Sequence, residues 1–120
     1  MIGHLRECYP EEGCGFAAGR DVRVTEIIPI TNSLHSQTRY LMDPQGQIDA
    51  HVKMEDDGLD LLAVFHSHPE SAPYPSPTDL AELAYPHAYM LIVGFLGQGT
   101  KIGLFKIENG RIIESMLRVV

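Results

Sequence analysis

Long apolar runs are missing from this sequence of 120 residues. The longest, Ala88 to Val93, spans six residues, far short of the roughly 18 that a membrane span needs. The N-terminal stretch up to Gly13 has no apolar h-region, so no secretory signal is expected. Cysteine is scarce too: Cys8 and Cys14 alone cannot build a disulfide framework, which points to a reducing, cytoplasmic setting. Nine Lys and Arg stand against sixteen Asp and Glu, giving a net charge of −7 and no basic cluster. Binding to a nucleic-acid backbone is therefore not expected. Repeats, low-complexity tracts and linkers are absent, and the length suits one domain over residues 1–120. A hydrophobic fraction of 44% with 21% charged residues excludes disordered, coiled-coil and collagen-like classes. What the chain has in excess is histidine, six in all.

The local pattern alternates strands with helices. Ile2 to Tyr9 reads as a short amphipathic helix stopped by Pro10. Gly13 to Gly19 and Val22 to Thr31 read as paired strands around a Gly-Arg-Asp turn. Asn32 to Leu41 is polar and loop-like. Asp43 before Pro44 is a helix start, and Gly58 closes that helix after about Asp56. Asp60 to His68 is apolar until its histidines, as a central strand buried on both faces would be. Four prolines between Pro69 and Pro77 demand an irregular loop. A helix from Ser76 to about Ala84 and a buried strand from Ala88 to Phe95 follow. Lys101 to Ile107 and Arg111 to Val119 then flank Asn109-Gly110, a strong hairpin signal. The sum is an α/β domain with a mixed sheet.

The chemistry gathers in Phe65 to Leu80, FHSHPESAPYPSPTDL. His66 and His68 are two apart on a strand, so both point to one face, roughly 6.5–7 Å apart along it. Two imidazoles so placed can converge on one metal ion. The proline-rich loop can fold back and bring the Asp79 carboxylate to them. Two His and one carboxylate leave a tetrahedral zinc with an open position for water, as catalysis requires. Amide hydrolysis also needs a carboxylate that moves the proton without binding the metal. Glu11 and Glu12 are the candidates. Ser76 can aim its hydroxyl at the oxyanion of the tetrahedral intermediate.

These residues in this order resemble the JAMM (MPN-plus) metallopeptidases. As in that family's motif, seven residues separate His68 from Ser76, and two separate Ser76 from Asp79. Pro10-Glu11-Glu12-Gly13-Cys14-Gly15 resembles the Pro-x-Glu-x-Cys-Gly block of the prokaryotic members and selects Glu12 over Glu11. The likeness continues through Thr31-Asn32 and Met42-Asp43-Pro44 to Tyr89–Val93. It implies a three-layer α/β/α fold with a mixed central sheet, shared with cytidine deaminases. It also implies one zinc ion on His66, His68 and Asp79, Glu12 as proton shuttle, and Ser76 steadying the oxyanion. The subgroup it points to is the small prokaryotic peptidases that cut after the C-terminal Gly-Gly of ubiquitin-like sulfur-carrier proteins. The partner would be such a carrier. Two departures stand out: the first helix is short for the family, held by packing or beginning upstream, and the insertions with which eukaryotic deubiquitinases grip a second ubiquitin are absent.

Plainer readings accompany the catalytic ones. Ser76-x-x-Asp79 is also a capping box, and a cap can fix the aspartate while its oxygens face a metal. Cys14, between glycines, reads as a small buried residue. His4, His35, His51 and His87 read as surface or partner contacts, and Arg39 and Tyr40 as loop residues able to line a substrate groove. Two other functions fit the chain: a catalytically inactive MPN-type module binding a ubiquitin-like partner, and a small-molecule zinc hydrolase. The His-x-Glu and Pro-Cys-x-x-Cys pattern of base deaminases is not present.

Overall fold

The computed structural model describes residues 1–95 and 99–117. Its elements in order are α1 (Ile2–Cys8), β1 (Cys14–Arg20), β2 (Arg23–Ile30), α2 (Pro44–Asp57), β3 (Asp60–His68), α3 (Pro77–Ala81), β4 (Tyr89–Gly94), β5 (Lys101–Glu108) and β6 (Arg111–Ser115). The strands form one sheet in the order β2-β1-β3-β4-β5-β6. All neighbours are antiparallel except β3 and β4. That parallel pair needs a crossover, which the loop from Pro69 and α3 supply. Asn109 and Gly110 both take positive φ (50° and 75°), as a tight turn from β5 to β6 requires.

The sheet is covered on both faces, which makes three layers. Against one face, Leu5 of α1 packs into a cluster with Ala17, Ala63, Phe65, Leu91 and Val93. Against the other, Ala50 and Met54 of α2 join Cys14, Phe16, Ala18 and Ile30. Helix α1 is only seven residues long, too short to be stable alone. Leu5, fully buried, anchors it to the sheet. Asp43 caps α2 by accepting the Gly46 N–H at 2.8 Å, and Gly58 ends it in the left-handed region at φ 66°. Both ends agree with the sequence.

Two boundaries differ from expectation. Helix α3 stops at Ala81 rather than Ala84. Tyr85 precedes Pro86, which disfavours helical backbone, and its ring packs edge-on against Phe16 at 5.2 Å. Strand β6 ends at Ser115, and Arg118 and Val119, expected in that strand, lie outside the described residues. Among the described residues no helix is long and apolar enough to cross a membrane.

Because α1 is held by one buried side chain, Leu5→Ala is expected to cost about 2–5 kcal/mol, read by urea denaturation. A loss below about 1 kcal/mol would show that α1 is held by something else.

Candidate metal centre

Strand β3 delivers both histidines to one spot. It pairs with β1 and β4, so its C-terminal end is buried between them, and His66 is fully buried while His68 is 4% exposed. The alternation of the strand points both rings to the face that carries α2. Their Nε2 atoms lie 3.1 Å apart. Asp79 Oδ2 closes a triangle with them, 3.0 Å from His68 Nε2 and 3.2 Å from His66 Nε2. Ligand atoms at about 2.0–2.1 Å around a tetrahedral ion are about 3.3 Å apart. The three donors are thus already spaced as such a site needs. Two imidazole nitrogens and a carboxylate oxygen also match the chemistry of a catalytic metal. His66, His68 and Asp79 form a group that can hold a metal ion.

The tautomer of His68 follows from its other nitrogen. Nδ1 lies 2.8 Å from the Ala72 carbonyl, which can only accept. Nδ1–H therefore donates, and the Nε2 lone pair faces the triangle. His66 Nδ1 has no hydrogen-bond partner among the described residues, and Tyr40 stacks on its ring at 4.6 Å. Burial holds His66 below its ordinary pKa. For His68 burial acts the same way, but the Asp79 carboxylate and the Ala72 carbonyl outweigh it and raise the pKa.

The cap and the ligand readings of Ser76 and Asp79 coexist in one geometry. Ser76 Oγ accepts the Asp79 N–H at 3.0 Å, and Asp79 Oδ2 accepts the Ser76 N–H at 2.9 Å. That same Oδ2 faces both histidines. Burial would raise the Asp79 pKa, but the two imidazoles and the Ser76 N–H drive it well below the usual carboxylate range. Asp79 is an anion here.

Of the two glutamates, only Glu12 is enclosed, at 3% exposure. Glu11 turns outward and pairs with exposed His35 at 3.0 Å. Glu12 Oε1 is buried without a hydrogen-bond partner among the described residues. Burial pushes its pKa up to about 7, with His68 lowering and Asp79 raising it. A carboxyl at that value can both take and give a proton near neutrality. Its backbone is fastened on every side. Glu12 N–H donates to Ser36 O at 2.7 Å, and Asn32 Nδ2 donates to Glu12 O at 3.0 Å. Ser67, between the histidines, accepts the Gly13 N–H on Oγ at 2.8 Å and donates its own N–H to Gly13 O at 3.0 Å.

With the geometry in place, residues 1–106 match the family described as prokaryotic homologs of the JAB domain. The chain belongs to this prokaryotic JAB family. It is 31% identical over 123 residues to the CysO-cysteine peptidase of Mycobacterium tuberculosis, spanning all of this chain and 84% of that protein. It is 40% identical over 89 residues to a probable TtuB-protein conjugate cleaving protease of Thermus thermophilus, over 73% of this chain and 60% of that one. A solution structure of a protein from Desulfitobacterium hafniense superposes with a TM-score of 0.85 at 30% identity, covering 96% of this chain and 82% of that one. The JAB chain described here is accordingly a peptidase with the α/β/α architecture of its relatives.

The site also holds residues whose parts the sequence left unassigned. Asn32 donates to two carbonyls, those of Glu12 and Arg39, and its Oδ1 accepts the N–H groups of Leu34 and Leu41. One buried amide thus shapes the loop that carries Tyr40. Cys14 is buried, its Sγ donates to Ile30 O at 3.3 Å, and burial pushes its pKa up to about 12. It stays a neutral thiol. His35, His51 and His87 are exposed, as expected, His51 with its ring 5.2 Å from that of Phe16, whereas His4 is half-buried and meets Phe65 edge-on at 6.3 Å.

Two outcomes follow. In metal-free protein a buried Glu12 with a raised pKa binds its proton more tightly folded than unfolded, so stability falls as pH rises from about 4.5 to about 7. Glu12→Gln removes that fall. Its stability advantage over the parent is expected to grow by on the order of 2 kcal/mol between pH 5 and pH 8, read by denaturation at both pH values; an advantage that does not change with pH refutes the raised value. Ser67→Ala leaves the Gly13 N–H buried without its partner, and a cost of about 1–3 kcal/mol is expected, with turnover reduced because the Glu12 segment keeps only its backbone ties to β3.

Proposed function

We propose that the chain hydrolyses the amide or isopeptide bond after the C-terminal Gly-Gly of a ubiquitin-like or sulfur-carrier protein. The observation that carries this reading is the convergence of His66, His68 and Asp79 beside a buried, unpartnered Glu12. The names of the relatives, one acting on a CysO-cysteine adduct and one on TtuB conjugates, support the substrate class. His66 and His68 would hold a zinc ion through Nε2, and Asp79 through Oδ2. When bound there, zinc supplies a Lewis acid and brings the pKa of a water molecule to about 7.

The chain's own residues do the rest. Glu12 takes a proton from the attacking water, whose oxygen goes to the carbonyl carbon. As the C–N bond breaks, Glu12 returns that proton to the leaving nitrogen. The products are the carrier carboxylate and a free amine. Ser76 Oγ uses a lone pair on the Asp79 N–H, which leaves its own O–H to donate to the oxyanion. Asp79 is fixed by the cap before any substrate arrives, so it needs no reorganisation.

Metal analysis of purified protein is expected to give one zinc per chain, and His68→Ala to lose it. Glu12→Gln should keep the zinc and lose turnover about 10²–10⁴-fold, measured by product mass on a ubiquitin-like carrier conjugated at Gly-Gly. Protein without stoichiometric zinc, or Glu12→Gln with full turnover, would sink this mechanism.

A further inference from the structure

A pocket opens beside the metal centre, with Asp79 in its wall. It lies between the Arg39–Met42 loop, α3 with the segment after it, and the start of β4. Tyr40, Leu83, Tyr85 and Met90 make most of its interior apolar. The space it encloses is small, about 80 Å3, well under the volume of a drug-sized site. A Gly-Gly tail has no side chain to place there. If the hydrolytic reading above holds, on which this inference rests, the pocket serves the amine side of the scissile bond.

Three charges line this pocket: Asp79 at the metal centre and the ion pair of Arg39 with Glu82. Arg39 Nε and Nη2 both donate to one oxygen of Glu82, Oε1, at 3.1 and 2.6 Å. This is not the two-oxygen fork that uses both faces of a guanidinium fully. The Nη1 edge makes no hydrogen bond among the described residues, and the Arg39 side chain is 54% exposed. Arg39 is also the only cation among the described residues lining the pocket. In a chain of net charge −7, a guanidinium with one unused edge, in the same pocket as Asp79, is a specific place for a carboxylate.

The two classes of amine differ there. A single amino acid joined through its α-amine carries its free carboxylate one carbon away from the scissile nitrogen. A lysine joined through its ε-amine carries four methylenes and then the backbone of a protein. We propose that this pocket holds the amine-side residue and that Arg39 selects a single α-linked amino acid by its free carboxylate. The apolar wall takes an uncharged side chain. Glu82 neutralises Arg39 while the pocket is empty and competes with the incoming carboxylate.

The test compares three substrates built on one ubiquitin-like carrier ending in Gly-Gly: extended by one alanine, extended by alaninamide, and joined to the ε-amine of a peptide lysine. The zinc-loaded protein is expected to show the lowest KM for the alanine adduct. Arg39→Ala should raise that KM about tenfold, which is the loss of one charge-assisted contact of about 1.4 kcal/mol. Its kcat on alanine and its KM for alaninamide should stay within about twofold. Glu82→Gln should move KM for the alanine adduct the opposite way, downward, because it frees Arg39. If the pair only braces the loop against α3, both variants weaken all three substrates alike, and the inference is overturned. Cleavage of all three with equal KM also overturns it while leaving the hydrolytic reading intact. Cleavage of none by the zinc-loaded protein overturns both.

Discussion

The charged end of this sheet depends on the antiparallel pairing of β1 with β3. Cys14 lies opposite His66 in that ladder, so the residues just before β1 must run beside the residues just after His66. The exchange of hydrogen bonds between Gly13 and Ser67 locks this register at the place where it matters. A slip of one residue would turn both histidines to the α1 face, away from Glu12. Serine at position 67 suits the task because its short hydroxyl reaches a backbone N–H across one strand spacing. The geometry of the candidate site is thus largely a consequence of sheet register, which the apolar clusters on both faces enforce.

Against that rigid frame the site accepts a destabilised charge. Glu12 is buried with one oxygen lacking a partner among the described residues, and that burial raises its pKa. Tertiary structure elsewhere offsets it, through well-filled clusters around Phe16, Phe65 and Phe105. Proteins commonly carry such local violations where they do chemistry. Asp79 is the opposite case, an anion welcomed by two imidazoles and a helix cap. Two carboxyls a short way apart are thereby driven in opposite directions by their surroundings, one toward proton exchange and one toward a permanent charge.

Much of this was legible in the chain. The strand period placed His66 and His68 on one face, Asp43-Pro44 and Gly58 marked both ends of α2, and Asn109-Gly110 marked the hairpin. The choice of Glu12 over Glu11 came from motif resemblance, and burial now distinguishes them physically. What pattern could not supply was long-range. Tyr40 stacks on His66, and Asn32 ties Glu12 to the Arg39 carbonyl, across separations that no local period encodes. A polar stretch such as Asn32–Leu41 reads only as a loop, because its order comes from one buried amide rather than from a repeat of apolar residues. The early end of α3 was hidden for a similar reason, since Tyr85 leaves the helix to meet Phe16, a residue far away in sequence.

Helix α3 is five residues long and buries no apolar side chain; its one enclosed side chain is the Asp79 carboxylate. Its order is borrowed from the Ser76–Asp79 box and from the Asp79 contacts with β3. Such a segment opens by local fluctuation far more often than the six-stranded sheet unfolds. The three donors of the triangle therefore differ in permanence: two belong to an interior strand of the sheet and one to a five-residue helix. The lifetime of anything held by all three is governed by a single helical turn, and the global stability of the fold has little say in it.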